Sequence, residues 1–157
     1  MRQTKKQQGV AAVEFAILLT FVLVPIVFGI TEFGRALYYY NTLVKATRDA
    51  ARFYASQTPS ATPTTTTDGQ TAVCLAVTGL QTASCSGSPP LAPGLIAANV
   101  QICDRLACPA THANQGAAPT VNLVSVSITS YQFKSLVPFI VPSITFGPIT
   151  TTMQGNT

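Results

Sequence analysis

Charged side chains are scarce in this chain of 157 residues, at 9% of the sequence against about 25% in ordinary soluble proteins. Only four side chains beyond residue 55 carry charge: Asp68, Asp104, Arg105 and Lys134. Three of the nine basic side chains precede Gly9, so the remainder has six basic against five acidic groups despite a formal net charge of +4. This balance lacks the basic patch that nucleic-acid binding needs, and we expect no nucleic-acid partner.

Residues that carry catalysis or bind metals are equally scarce. His112 is the single histidine, and it lies in a Pro/Ala/Asn/Gly-rich stretch with no motif that places a nucleophile or an acid beside it. Asp68 and Asp104, the only carboxylates of the C-terminal part, have neither paired spacing nor an apolar setting. There is no C-x-x-C pair and no glycine-rich phosphate loop. We therefore expect neither enzymatic activity nor a cofactor or metal.

One long apolar run dominates the N-terminal part. Val10–Ile30 is long enough to cross a bilayer, since about 20 helical residues at roughly 1.5 Å each span about 30 Å. Glu14 interrupts it, and a carboxylate inside a membrane helix costs roughly 2.5–3.5 kcal/mol. The preceding residues MRQTKKQQG contain three cations and no acid, which predicts a cytoplasmic N-terminus and an exported C-terminal part.

The apolar run does not have the organisation of an ordinary secretory signal. A signal has a shorter apolar core followed by a small-residue cleavage site, whereas this run continues into ITEFGRALYYY. A cut after Gly9 would instead leave the membrane helix in the mature chain. We predict a leader at 1–9, a transmembrane helix at 10–30, its amphipathic continuation at 31–56, a Ser/Thr/Pro-rich linker at 57–71 and an exported domain at 72–157.

The residues around Gly9 resemble a known processing site. Gly9 and Val10, with Glu14 and Phe15 as the fifth and sixth residues after the cut, resemble the prepilin-peptidase site of type IV pilins. The string GVAAVEFAILL and the later FGITEFGRALYYYNTLVKATRDAARFYA resemble the TadE-like minor pilins, or pseudopilins, of tight-adherence (Tad/Flp) systems. The likeness covers residues 5–55, with weaker similarity near the C-terminus.

The resemblance implies a function in assembling Tad/Flp surface pili, which serve adhesion and biofilm formation. The implied partners are a prepilin peptidase, other pilin and pseudopilin subunits and the inner-membrane pilus assembly machinery. The precursor would be a single-pass protein of the bacterial inner membrane, and the mature subunit would lie outside the cytoplasm or in a surface pilus. The exported domain is long compared with the very short major Flp pilins, which favours a minor subunit.

Glu14 is the residue on which assembly would depend. Cleavage after Gly9 would create an ammonium on Val10, and Glu14 lies four residues further, about 6 Å along a helix. Its carboxylate can meet that ammonium or the one of a neighbouring subunit, and in related pilins the pairing between subunits is thought to set their register. The alternative is that Glu14 only offsets the N-terminal dipole of its own helix. Both interpretations remain open at this point.

Beyond Ile30 the all-round apolar pattern becomes a stripe. Seven residues repeat at alternating spacings of four and three: Phe33, Leu37, Tyr40, Val44, Thr47, Ala51 and Tyr54. This period predicts that one helix continues from Val10 to Ser56. The stripe fits packing against the chain's own domain, and it also fits packing against neighbouring helices.

The C-terminal part predicts an α+β fold, with the long helix lying on a small antiparallel sheet. A short helix is expected at 69–77, capped by Asp68 and ended near Gly79. Alternating apolar residues predict strands at Asn99–Cys103 and Val121–Ser130, with Tyr131–Lys134 extending the second. Three prolines leave Ile144–Met153 as at best a weak edge strand.

Four cysteines in an exported domain favour disulfides. They permit three pairings, and local closure favours Cys74 with Cys85 and Cys103 with Cys108. Two further interpretations of the whole chain stay open. The first is an uncleaved, single-pass, membrane-anchored scaffold or assembly protein outside the cytoplasm. The second is a secreted enzyme that depends on His112.

Overall fold

The computed structural model describes residues 8–113 and 121–156, so most of the predicted leader at 1–9 lies outside the described residues. Helix α1 occupies Gln8–Ala55 without interruption and continues through Pro25. The prediction of one helix from the apolar run into the polar part of the chain is confirmed. The fold is α+β, as the sequence predicts, with α1 packed against a second helix and a small antiparallel sheet.

The buried face of α1 begins at Glu32. Its other buried members are Ala36, Leu43, Ala46, Thr47, Ala50, Ala51 and Tyr54. The predicted stripe is therefore right from Val44 onward, where Val44 is half-buried against the core, and wrong before it, where Phe33, Leu37 and Tyr40 are exposed. Alanines line much of the buried face, and small side chains let the neighbouring elements approach the helix closely. Helical period indicates that one face packs, but it does not choose between two adjacent apolar faces.

Helix α2, Thr67–Thr78, starts inside the stretch that the sequence predicts as a linker. Its N-cap is Thr66, whose hydroxyl accepts a 3.1 Å hydrogen bond from the Gly69 amide, so the predicted capping role of Asp68 is wrong. A Cβ on Gly69 would lie 1.7 Å from the Pro63 carbonyl oxygen, in the 3₁₀ turn Pro63–Thr65, which explains the glycine. Gly79 ends the helix with a left-handed φ of +76°, as predicted.

Three antiparallel strands form the main sheet in the order β1–β2–β5: Val100–Cys103, Leu123–Ile128 and Ile149–Gln154. Strand β5 pairs with β2 over six residues, so the edge strand predicted as weak at Ile144–Met153 is fully paired but begins only at Ile149. Between β1 and β2 lies the one-turn helix α3, Pro109–His112. The core is formed by the buried faces of α1, α2 and this sheet.

The chain turns away from the main sheet at Ser130, which has a φ of +56°. A left-handed residue cannot continue a strand, so the prediction that Tyr131–Lys134 extends β2 is wrong. Instead β3, Gln132–Phe133, pairs with β4, Ile144–Thr145, in a separate two-stranded sheet. Disulfides join Cys74 to Cys85 and Cys103 to Cys108, the pairing that local closure favours.

Candidate processing and assembly site

The first half of α1 makes no core contacts with the other described parts of the chain. From Gly9 to Thr31 every side chain is exposed except at Gly29, which is half-buried. The apolar window of this helix has a mean hydropathy of 2.6. Within the described part of the chain it is the one helix long and apolar enough to cross a membrane. This property is compatible with membrane anchoring, as the sequence predicts.

Glu14 stands alone among these apolar side chains. The other polar side chain between residues 10 and 30 is Thr20, whose hydroxyl donates a 2.8 Å hydrogen bond to the Ala16 carbonyl. Glu14 has no hydrogen bond or ion pair to any residue that the structure describes. It lies 18 residues before Glu32, about 27 Å along the helix, beyond the reach of the packed domain. A partner for its carboxylate must therefore come from outside the described fold.

Gly9 lies in the first turn of α1, next to Val10. A Cβ placed on Gly9 would meet no atom within 4 Å, and its φ is not left-handed. The fold therefore does not require glycine at this position, in contrast to Gly69 and Gly79. Gly9 differs from them because no contact with a described residue accounts for it.

Val10 and Glu14 share one face of α1, because residues four apart in a helix are neighbours, with Cβ atoms about 5–6 Å apart. Phe15 follows Glu14 and is also exposed. An ammonium on Val10 would therefore lie close enough to Glu14 for an ion pair, either within one chain or between two aligned chains. The structure thus groups the four predicted site residues at one end of α1.

A second acid of α1, Glu32, was not identified from the sequence. It is buried, and its Oε1 accepts a 2.6 Å hydrogen bond from Arg35 Nη1. Its Oε2 accepts a 3.1 Å hydrogen bond from the Leu136 amide. Burial raises the pKa of Glu32, but these hydrogen bonds outweigh it and hold the pKa below its ordinary value of 4.5. The sequence feature that could have indicated this ion pair is the i,i+3 spacing of Glu32 and Arg35.

Asp104 is also buried, contrary to the expectation of a carboxylate without an apolar setting. Its carboxylate accepts hydrogen bonds from the Tyr54 hydroxyl at 3.1 Å and from the Ser60 amide at 2.9 Å. The amides of Leu106 and Ala107 also donate to it, at 2.8 and 2.9 Å. Burial and the charge of Asp104 raise the pKa of Tyr54. Asp104 thus joins the end of α1 to two loops, a structural role.

His112 is not an isolated loop residue. Its Nε2 lies 2.7 Å from the Ser125 hydroxyl, and its Nδ1 lies 2.7 Å from the hydroxyl of Thr111. Catalytic Ser–His pairs need a group that orients the imidazole and an accessible hydroxyl. Ser125 is buried, and no carboxylate among the described residues hydrogen-bonds to His112. The geometry is that of a contact joining α3 to β2.

No cluster of three or more His, Cys, Asp or Glu side chains suited to a metal ion occurs within residues 8–113 and 121–156. All four cysteines are used in disulfides.

Together these observations define a class: an α+β protein with one exposed apolar helix, compatible with membrane anchoring, that carries a small disulfide-bonded domain. The TadE-like protein family matches residues 9–52, which lie entirely in α1. The resemblance predicted from the sequence is confirmed over this segment. Over this helix the chain is similar to TadE-like proteins, the family that belongs to Tad pilus systems. Comparisons with curated proteins and with solved structures found no significant match.

Proposed function

We propose that the chain is a minor pilin or pseudopilin that a prepilin peptidase cuts between Gly9 and Val10. The mature chain then takes part in the assembly of Tad/Flp-type surface pili. In the precursor, residues 10–30 cross the bacterial inner membrane with the N-terminus in the cytoplasm. The domain beyond residue 56 lies outside the cytoplasm, in keeping with its disulfides. The chain has no catalytic role of its own.

One observation carries this proposal: two residues near the start of α1, Gly9 and Glu14, make no contact in the described part of the chain that accounts for them. Glycine at residue 9 is not required by sterics or by φ, and Glu14 is an acid among apolar side chains with no partner among the described residues. The acid costs roughly 2.5–3.5 kcal/mol when it enters the membrane, so it needs a compensating interaction. The family match that begins at residue 9 supports the same processing site.

The proposed mechanism has two steps. The peptidase hydrolyses the Gly9–Val10 peptide bond, which releases residues 1–9 and leaves an ammonium on Val10. The first turn of α1 must unwind for the cut, and the hydrogen-bond deficit of a helix terminus makes this inexpensive. In an assembling filament the Glu14 carboxylate of one subunit then pairs with the Val10 ammonium of a neighbour. The apolar surroundings strengthen this attraction compared with water.

The cleavage step is tested by intact-mass measurement of the chain from cells with active or inactive prepilin peptidase. We expect the wild-type chain to lose residues 1–9 only when the peptidase is active. Gly9→Val should abolish this loss, because the side chain blocks the scissile bond. Gly29→Val is the matched control, since a Cβ on Gly29 also meets no atom within 4 Å. Removal of residues 1–9 from Gly9→Val would contradict the proposed site, and its retention by Gly29→Val would show that a general change in the helix prevents cleavage.

The assembly step is tested by mass spectrometry of sheared surface filaments. Wild-type chain beginning at Val10 should be present, and Glu14→Leu should be processed but largely lost from filaments. Val13→Leu is the control for a change of shape at a neighbouring exposed position. Normal entry of Glu14→Leu into filaments would contradict the pairing role and favour a tethered scaffold. Retention of Met1 in cells with active peptidase would also favour that alternative.

A further inference from the structure

The loop between β3 and β4, Lys134–Ser143, exposes apolar side chains. Seven of its ten residues are apolar or proline: Leu136, Val137, Pro138, Phe139, Ile140, Val141 and Pro142. Phe139 is 100% exposed and Leu136 is 74% exposed. The amides of Ile140 and Val141 both donate 3.0 Å hydrogen bonds to the Val137 carbonyl, so the tip is an ordered turn. No residue after Lys134 in this loop is charged.

Contacts with α1 locate the loop at the end of the domain nearest the apolar half of the helix. The ring centre of Phe133, at the end of β3, lies 5.3 Å from the guanidinium carbon of Arg35. Three residues later the Leu136 amide bonds to Glu32, where the buried face of α1 begins. The chain thus runs toward the membrane-facing end of the helix as it enters the loop.

The returning strand moves away from that end again. Phe146, just beyond β4, has its ring 5.7 Å from that of Tyr40, and Thr151 in β5 is 3.1 Å from Thr47. The contacts with α1 therefore progress from residue 35 to 32 before the loop and from 40 to 47 after it. Glu32 is two residues beyond Ile30, about 3 Å along the helix axis. The loop lies at the level where the helix would leave the bilayer.

The surroundings of the loop have the composition of a membrane interface. Lys134 begins it, Arg35 is adjacent, and Tyr38 and Tyr40 are exposed on α1 about two turns beyond Glu32. Aromatic and cationic side chains are enriched at the headgroup level, and an exposed cluster of apolar side chains is rare on a soluble surface. If residues 10–30 are inserted, a bilayer surface is necessarily present next to this loop. This adjacency favours lipid over a second copy of the chain as its partner.

We propose that the β3–β4 loop inserts Phe139 and Leu136 into the bilayer that residues 10–30 cross, at the boundary of headgroups and acyl chains. The exported domain then has two membrane contacts, and the Glu32–Leu136 bond fixes the loop to the helix. The inference requires that residues 10–30 span a membrane, but it does not require cleavage or filament assembly. Extraction of the subunit from the membrane must then withdraw the loop together with the helix.

The test uses tryptophan fluorescence, because the chain has no tryptophan and each introduced one is the sole emitter of its kind. Full-length Phe139→Trp is reconstituted into vesicles of ordinary or brominated phosphatidylcholine and phosphatidylglycerol, with bromines in the upper acyl chain. An interfacial segment lies about 5–10 Å into the boundary region, within reach of such quenchers. We expect a blue-shifted emission and loss of most of the intensity in the brominated vesicles.

Two variants serve as controls. Phe21→Trp, exposed within the apolar run, should be quenched and reports whether the helix is inserted. Leu106→Trp is also exposed but lies beside Asp104, which bonds to Tyr54 at the other end of the packed helix, and it should not be quenched. Quenching of Phe21→Trp without quenching of Phe139→Trp overturns the proposal. A blue shift of Phe139→Trp that depends on protein density and not on bromine also overturns it, since the loop then contacts another copy.

Discussion

The two halves of α1 belong to one continuous helix but relate differently to the rest of the chain. Residues 9–31 expose almost every side chain, whereas residues 32–55 bury one face against α2 and the main sheet. Each half contains an unusual acid. Glu32 is buried, and its carboxylate accepts hydrogen bonds from Arg35 and from the Leu136 amide. Glu14 has no partner among the described residues. The comparison separates residues that the fold explains from residues that need an external partner.

The largest expected effect is on the free energy of unfolding. It compares a leucine on the buried face of the second half of α1 with a leucine on the exposed apolar face beside it. Leu43→Ala should lower the free energy of unfolding by about 2–5 kcal/mol, because Leu43 is completely buried and its removal leaves a cavity. Leu37→Ala, the same change on the same helix, should remain within about 0.5 kcal/mol, because Leu37 is 47% exposed. The measurement is urea unfolding of the full chain in detergent, followed by near-UV circular dichroism. Equal losses would mean that the predicted stripe, which includes Leu37, packs after all.

A smaller effect is expected at the far end of the second half. Tyr54→Phe keeps the buried ring but removes the hydroxyl that donates to Asp104, so the free energy of unfolding should fall by about 0.5–1.5 kcal/mol. Asp104 keeps its three backbone donors, which limits the loss. Tyr38→Phe is the matched control at an exposed position and should change stability little. The same denaturation measurement applies, and a loss of similar size in Tyr38→Phe would contradict the role of this bond.

The sequence predicted the features of the chain that depend on local pattern. Hydropathy predicted the long helix, and alternation predicted β1 and β2. Short sequence separations predicted the two disulfides, Cys74–Cys85 and Cys103–Cys108. Features that depend on tertiary contacts were not predictable. The choice of Leu43 over Leu37 depends on which face the sheet meets, and the burial of Glu32 and Asp104 depends on amides distant in sequence. The left-handed Ser130 separated β3 from β2 without a glycine to mark it.

The candidate site was predictable for the opposite reason. Its motif lies within seven consecutive residues and can be read without knowledge of the fold. The structure leaves its members exposed at one end of α1: Gly9, Val10, Glu14 and Phe15. What the sequence could not supply is the absence of any structural need for Gly9, which follows only from the open space around it. The position of the β3–β4 loop was also not predictable, because its apolar residues lie far in sequence from the part of α1 that they approach.

The acid of the second half should make stability depend on pH. The pKa of Glu32 lies below its ordinary value of 4.5, so its ionised form stabilises the folded chain. This contribution is complete above the unfolded-state pKa and is lost as pH falls through the lower, folded-state pKa. The unfolding midpoint in urea should therefore decrease below pH 4.5 in the wild-type chain and decrease less in Glu32→Gln. Glu14→Gln, which removes a carboxylate from the exposed half of the same helix, is the control. An unchanged pH profile in Glu32→Gln would contradict the contribution of the Glu32 carboxylate to the acid sensitivity.

The smallest expected effect on folding is that of Glu14→Gln, which should leave the free energy of unfolding within about 0.5 kcal/mol of wild type. Its side chain is exposed and touches nothing in the packed domain, so the fold loses no contact. Membrane insertion should become easier, since an ionised acid in the bilayer costs roughly 2.5–3.5 kcal/mol. Like Glu14→Leu, this variant removes the carboxylate, so we expect it to be largely lost from filaments. That loss would be opposite in sign to its effect on insertion and could not be a consequence of misfolding. If Glu14→Gln instead lowered stability as much as Leu43→Ala, the first half of α1 would have an internal partner, and the division between the two halves would be wrong.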